Sequence, residues 1–210
     1  MLAKFAPKAM QFQRCLEGTD AFDAIKHFAC ARYADAHQAR LRHFLPQQYL
    51  LTDNDRWLAS CGVRGAADNT LFLEQYLDGP IEAVLAQRAG HDLSRRQIVE
   101  VGNLAGEAGG ARLMILALTR YLAQSGVDYV VFTATRELQS AFSRLGLEPW
   151  FLADASALKL GDDAQEWGRY YQNKPAVFAG SVQAGWQAIQ AQPVLMRILS
   201  AIAPEITDVV

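Results

Sequence analysis

The sequence predicts one α/β domain with a central mixed sheet flanked by helices, and three observations carry the prediction. Between Gln97 and Leu147 a β-branched run, a glycine-rich turn, a long amphipathic stretch, a second apolar run and a second amphipathic stretch follow one another, which is the pattern of a strand, crossover helix and parallel strand. Upstream, Tyr49 to Thr52 and Arg56 to Val63 flank Asp53-Asn54-Asp55, the composition of an antiparallel hairpin. The chain of 210 residues, 51% hydrophobic and 20% charged, is long enough to bury a core of that size.

The first central strand is read over Gln97 to Leu104, where Ile98, Val99 and Val101 favour extended backbone and Glu100 sits among them. Gly106, Gly109 and Gly110 permit a tight turn before a helix opening at Ala111, with Leu113, Met114, Leu116, Ala117, Tyr121 and Leu122 at helical spacing. A helix start of this kind presents unpaired N–H groups and a positive dipole end, which suit a phosphate. Gly109, Gly110, Ala111 and Arg112 are the candidate phosphate turn. Ser125-Gly126 ends the helix, and Tyr129 to Ala134 reads as a buried parallel strand. Thr135 is placed to cap a helix carrying Leu138, Phe142 and Leu145 up to Gly146.

On the amino-terminal side, Met10 to Leu16 is a strand and Gly18-Thr19-Asp20 a turn and cap. A helix follows from Ala21 to about Arg42, with Phe22, Ile25, Phe28, Ala29 and Tyr33 on one face. Arg32, His37, Arg40, Arg42 and His43 gather along its later part, either as a solvated basic face or near a phosphate or carboxylate group. LFLEQYL at Leu71 to Leu77 is too short for an independent helix, and Pro80 opens a helix reaching Ala89. Glu148 to Leu152 and Val177 to Val182 are further strands. Trp167, Tyr170 and Tyr171 pack over the core or line an acyl pocket. Residues 182–210 form a C-terminal helical extension broken at Pro193.

Composition narrows the function classes. A net charge of −2 and a pI near 6.1 oppose broad electrostatic binding to nucleic acid or anionic lipid. Cys15, Cys30 and Cys61 lack metal-ligand spacing, no apolar segment has the length of a signal peptide core or a membrane span, and the expected location is the cytoplasm. No zinc spacing, nucleophile elbow or Walker loop is present, and no metal is expected.

The strand, Gly/Ala turn, helix, strand and helix series resembles the acyl-CoA-binding half of the GNAT acyltransferase superfamily. In that superfamily the turn holds the cofactor pyrophosphate, and two neighbouring strands splay to admit the pantetheine arm. Gly109 and Ala111 match the small positions of its turn, whereas Gly106 stands where the family has Gln or Arg, and Phe142 stands where many members carry a tyrosine general acid. Four longer segments, Leu71 to Glu82, Ile98 to Ala105, Val130 to Pro149 and Trp167 to Gly180, resemble the thermostable haemolysin family. The layout is also similar to acyl-homoserine lactone synthases, whose usual Glu, two residues, Arg pattern reads Glu100 to Asn103 here.

These resemblances imply an N-acyltransferase whose donor is acyl-CoA or an acyl carrier protein thioester and whose acceptor is a small amine or amino-acid-like molecule. Glu100 is the candidate base, with structural pairing to Arg64 or Arg95 as the alternative. Backbone N–H groups near Asn103, Leu104 and Ala105 would polarise the thioester carbonyl where the strand kinks. Arg64 and Glu74 are candidates for the charged groups of the acceptor, Thr133, Thr135 and Phe142 for the donor crevice, and Trp167 and Tyr170 for the acyl pocket. Thr133 and Thr135 have helix capping as their other reading. Two further readings follow from the family name and the degenerate turn: a directly lytic, membrane-active protein, and an inactive acyl-CoA-binding module. A homodimer contact through the C-terminal helix is also open.

Overall fold

The computed structural model describes residues 9–67, 69–203 and 206–209. A single mixed sheet of eight strands organises them. In chain order these are β1 (Gln11–Leu16), α1 (Asp20–His37), β2 (Gln47–Asp53), β3 (Arg56–Gly65), α2 (Ile81–Ala89), β4 (Ile98–Gly106), α3 (Gly110–Gln124) and β5 (Tyr129–Ala134). They continue with α4 (Arg136–Arg144), β6 (Trp150–Asp154), β7 (Ala176–Ser181), α5 (Val182–Gln190), α6 (Pro193–Leu199) and β8 (Thr207–Val209). The sheet order is β6-β7-β5-β4-β3-β2-β1-β8. Only β4 with β5 and β1 with β8 run parallel; the other neighbours are antiparallel.

Strand alternation divides the apolar groups between two layers. Val99, Val63 and Cys61 face α3, α5 and α6, whose Met114, Leu116, Leu118, Ile189, Leu195 and Leu199 complete the main core. Ile98, Tyr129, Val131, Val177 and Ala179 face the opposite way, onto Leu71, Leu73, Tyr76, Ile81 and Leu85. Each fully buried Leu or Ile contributes roughly 2 kcal/mol of transfer free energy. The C-terminal stretch is part of this packing, since Val182, Ile189, Leu195 and Leu199 are all buried, and it ends in strand β8 beside β1.

The observed elements depart from the sequence reading at informative places. Helix α1 stops at His37 because Gln38 adopts the left-handed conformation at φ 58°, so Arg40 to His43 lie in the irregular segment that follows rather than on a helix. Pro80 is the cap of α2, not its first residue. Pro193 does open a helix, at the position where its missing N–H costs nothing. Strand β8 carries no apolar alternation of its own and is positioned by pairing with β1 and by the Arg14–Asp208 ion pair at 2.8 Å.

Candidate active site at the divergence of β4 and β5

Two features of β4 create the site. It pairs with β5 only from Ile98 to Val101. Beyond that point β4 stays with β3 while β5 stays with β7, so the two parallel strands part and the backbone edge of β4 opens into the gap. Within the same stretch the register against β3 slips between Ser60 and Gly62, which pair with Ala105 and Gly102. Asn103 and Leu104 thus oppose Cys61 alone, a β-bulge that kinks the strand. Asn103 absorbs the kink with φ 50°, a conformation that Asn tolerates better than most residues.

The carboxamide of Asn103 is committed to holding this geometry. Its Oδ1 accepts from Leu45 N at 3.0 Å, and its Nδ2 donates to the His43 carbonyl at 3.0 Å. The side chain pins the segment between α1 and β2 to the bulge.

Glu100 lies one turn of pleat before the split and is 4% exposed. Its two carboxylate oxygens accept from Phe72 N and Leu73 N, both at 3.0 Å. Burial pushes the carboxyl above the usual carboxylate range, against the opposing pull of those two N–H groups and the Arg64 charge. Arg64 is the direct cross-strand neighbour of Glu100, so both project from one face. Arg95 does not meet Glu100 but is bound elsewhere.

The cavity at the split has a volume of about 1230 Å³ and passes between the two layers. Glu100, Asn103, Leu104, Ala105, Gly109, Ala111, Arg112, Thr133, Phe142, Arg64, Trp167 and Tyr170 all line it, as does Thr135. Thr135 occupies the cap position of α4 but its hydroxyl makes no capping bond. Phe142 stacks on Phe132 with ring centroids 4.7 Å apart, closing the α4 side with carbon where a hydroxyl would be needed for proton donation. Trp167 and Tyr170 join Tyr33 and His37 in an aromatic cluster over the other side. Burial lowers the His37 imidazole from its ordinary value, partly offset by Glu137 across the cleft and reinforced by Arg169.

Two residues of the sequence reading lie off the cavity wall. A Cβ on Gly110 would stand 2.1 Å from the Leu58 carbonyl oxygen, and its N–H donates to Glu107 O at 2.9 Å. Gly110 is therefore a close-approach residue that seats α3 on β3, not a phosphate contact; Gly109, at φ 84°, makes the turn. Glu74 is a structural carboxylate. It accepts from Arg95 Nη1 at 2.7 Å, from Leu71 N at 2.6 Å and from Ile81 N at 2.8 Å, and Arg95 also meets Glu82 at 2.6 Å. Burial pushes the Glu74 carboxyl up, but Arg95 and the two N–H groups prevail and hold it below the usual range.

Glu74→Gln is accordingly expected to cost about 2–3 kcal/mol at neutral pH, as loss of a charged acceptor leaves buried donors unmatched. Because the folded value is depressed, this contribution is present above the unfolded value and fades as pH falls through the folded one. Denaturant titrations of wild type and variant should converge at acid pH; a gap independent of pH would contradict the assignment.

Other groups of the site escaped the sequence. The backbone donors Phe72 and Leu73 were hidden because no pattern announces which main-chain N–H meets a distant carboxylate. The apolar wall supplied by Met114, Leu118, Gly185 and Ala188 carries ordinary core residues. Its one readable signal is the pair of small residues on α5, which leaves room beside α3. Among the described residues, no group of three or more potential metal ligands converges, and no helix is long and apolar enough to cross a membrane.

The architecture is shared with solved acyl-transferring synthases. A CoA-dependent acyl-homoserine lactone synthase, BjaI, determined with SAM and isopentyl-CoA, aligns with TM-score 0.62 at 11% identity over 95% of this chain and 93% of its own. FeeM, an N-acyl amino acid synthase from uncultured soil microbes, aligns with TM-score 0.57 at 12% identity over 90% and 97%. The AHL synthase LasI aligns with TM-score 0.53 at 11% identity over 82% and 89%. At such identities the likeness establishes the GNAT-like fold. No curated protein matches in sequence. Residues 16–186 match the family described as Thermostable hemolysin, and with most of its length covered the chain belongs to that family.

Proposed function

We propose that this protein is an N-acyltransferase that moves an acyl group from a pantetheine thioester to a small amine. The observation that carries the reading is the parting of β4 and β5 beside a buried carboxylate: a slot for a linear thioester with a base at its inner end. The thioester carbonyl would meet the backbone N–H groups of the kinked 103–105 stretch, which are fixed in advance and lose nothing in reorganisation. Glu100, raised by burial, would receive the amine proton directly or through a water. The amine nitrogen forms the new C–N bond, the C–S bond breaks, and the thiol leaves with a proton. Phe142 supplies none, so that proton comes from solvent or from the attacking amine.

The donor is acyl-CoA or an acylated carrier protein. Gly109, Ala111 and Arg112 stand at the phosphate end of the slot, and the apolar wall between α3 and α5 accommodates a chain. BjaI is named as CoA-dependent, which favours testing CoA first. The thiols of Cys15, Cys30 and Cys61 are free, in keeping with a cytoplasmic enzyme. A directly lytic protein is the weaker reading, since the apolar face of α5 and α6 is already spent in the main core. An acylated amine released by the enzyme is itself surface-active and offers an indirect route to lysis.

Native mass spectrometry with thermal shifts, run on CoA and on butanoyl- to palmitoyl-CoA, tests the donor half. The expected result is binding with a shift in melting temperature that grows with chain length to an optimum. No binding of any acyl-CoA or acylated carrier protein would overturn the reading.

A further inference from the structure

The acceptor side of the cavity contains an electrostatic imbalance that the reaction alone does not explain. Arg32, on α1, and Arg64, on β3, both line it. The ion pairs among the described residues engage Arg14, Lys26, Arg42, Arg56 and Arg95, and neither Arg32 nor Arg64 takes part in one. The Arg32 Nε atom is shielded from solvent and has no hydrogen-bond partner among the described residues. Its guanidinium lies over the Phe28 ring, 5.5 Å from the centroid, which orients the group without satisfying it. Arg64 stands opposite Glu100 across the β3–β4 ladder, yet the carboxylate oxygens of Glu100 point to the Phe72 and Leu73 N–H groups.

A buried donor on a cation is costly to leave unmatched. Guanidinium groups recognise planar carboxylates with paired, directional hydrogen bonds. Glu100 is bound by main-chain N–H groups, and among the described residues no carboxylate forms an ion pair with Arg32 or Arg64, so both guanidinium groups are open to an anion brought by the substrate. Resting on the acyltransfer reading above, we infer that the acceptor is an α-amino acid or a close analogue, whose carboxylate is held by Arg32 and Arg64 while its amine faces Glu100. The product is then an N-acyl amino acid. Asp35, also on the cavity wall, would repel a second negative group, which favours acceptors with an uncharged side chain over aspartate or glutamate.

The test uses product-class ligands, so it does not depend on turnover. Binding of N-dodecanoylglycine, N-dodecanoylleucine and N-dodecanoylphenylalanine to the full chain is measured by calorimetry. Each is compared with its decarboxylated counterpart, the N-dodecanoyl amide of methylamine, isopentylamine or phenethylamine. At least one acid is expected to bind about tenfold or more tightly than its counterpart. Arg32→Gln and Arg64→Gln should each erase most of that preference while leaving the affinity of the neutral amide unchanged. Equal affinity of acid and neutral amide in all pairs, or a preference that survives in both variants, overturns the inference, as does no binding of any acid. Arginine-dependent binding of the acids by a protein that binds no acyl thioester would retain the carboxylate site and reject acyltransfer. Acyl transfer to amines with no preference for the carboxylate would do the reverse.

Discussion

Glu100→Gln is expected to lower turnover by about 10²–10⁴-fold, the usual contribution of a positioned general base. The substitution keeps the shape of the side chain, and its carbonyl oxygen still accepts one of the N–H groups of Phe72 and Leu73. Stability should fall by only about 1–2 kcal/mol, the cost of mismatching the other donor. The pH dependence gives the sharper signature. Burial raises the Glu100 carboxyl, so kcat/KM rises with pH through a limb lying above the ordinary carboxylate range, and that limb is absent from the residual activity of the variant. The linkage sign runs the opposite way for folding. A carboxyl raised in the fold contributes stability present below its unfolded value and lost as pH rises through the folded one. Unchanged turnover in a folded Glu100→Gln protein would remove the residue from the chemistry.

Asn103→Ala carries the second large effect, on the scaffold and through it on rate. The variant loses the bonds to Leu45 N and the His43 carbonyl and puts at φ 50° a residue that lacks the local polar side chain by which Asn tolerates left-handed backbone. Two hydrogen bonds and the backbone penalty together amount to about 3 kcal/mol. Asn103→Gly removes the same bonds but accepts the conformation, so it should be less destabilised by the backbone share of that total. Both are expected to lose turnover because the bulge no longer holds the N–H groups against the carbonyl. Denaturant titration beside kinetics separates these outcomes: an Asn103→Ala protein as stable as wild type would show that the pin is unimportant.

What the sequence exposed and what it concealed divide along physical lines. The order of strands and helices was readable because β-branched runs, helical spacing and Gly or Pro stops are local signals. The glycine turn and the parallel pair Ile98–Val101 with Tyr129–Phe132 followed from them. Long-range partnerships were not readable. Glu74 and Arg64 looked like a charge pair suited to a zwitterion, but Glu74 is claimed by Arg95, which lies beyond it in sequence and reaches it only through the fold. Gly110 looked like a phosphate contact, and its real constraint is the Leu58 carbonyl on β3. Asn103 departs from the Arg found in similar synthases, and its meaning emerged only from the left-handed kink and the bonds to the 43–45 segment. The basic cluster was visible as a composition, but only the fold separates Arg32, on the cavity wall, from Arg42, which pairs with Glu166 at 2.8 Å.

Formation of an amide at the divergence of β4 and β5 can be followed by product mass spectrometry. The full chain is incubated with the acyl-CoA that gives the largest thermal shift, or with the same acyl group on a carrier protein, and with a mixture of amino acids and simple amines. An N-acylated product is expected, formed in step with free thiol, reduced about 10²–10⁴-fold in Glu100→Gln and dominated by acceptors that carry a carboxylate. Thiol release without any amide, or amide formation undiminished in Glu100→Gln, would contradict it.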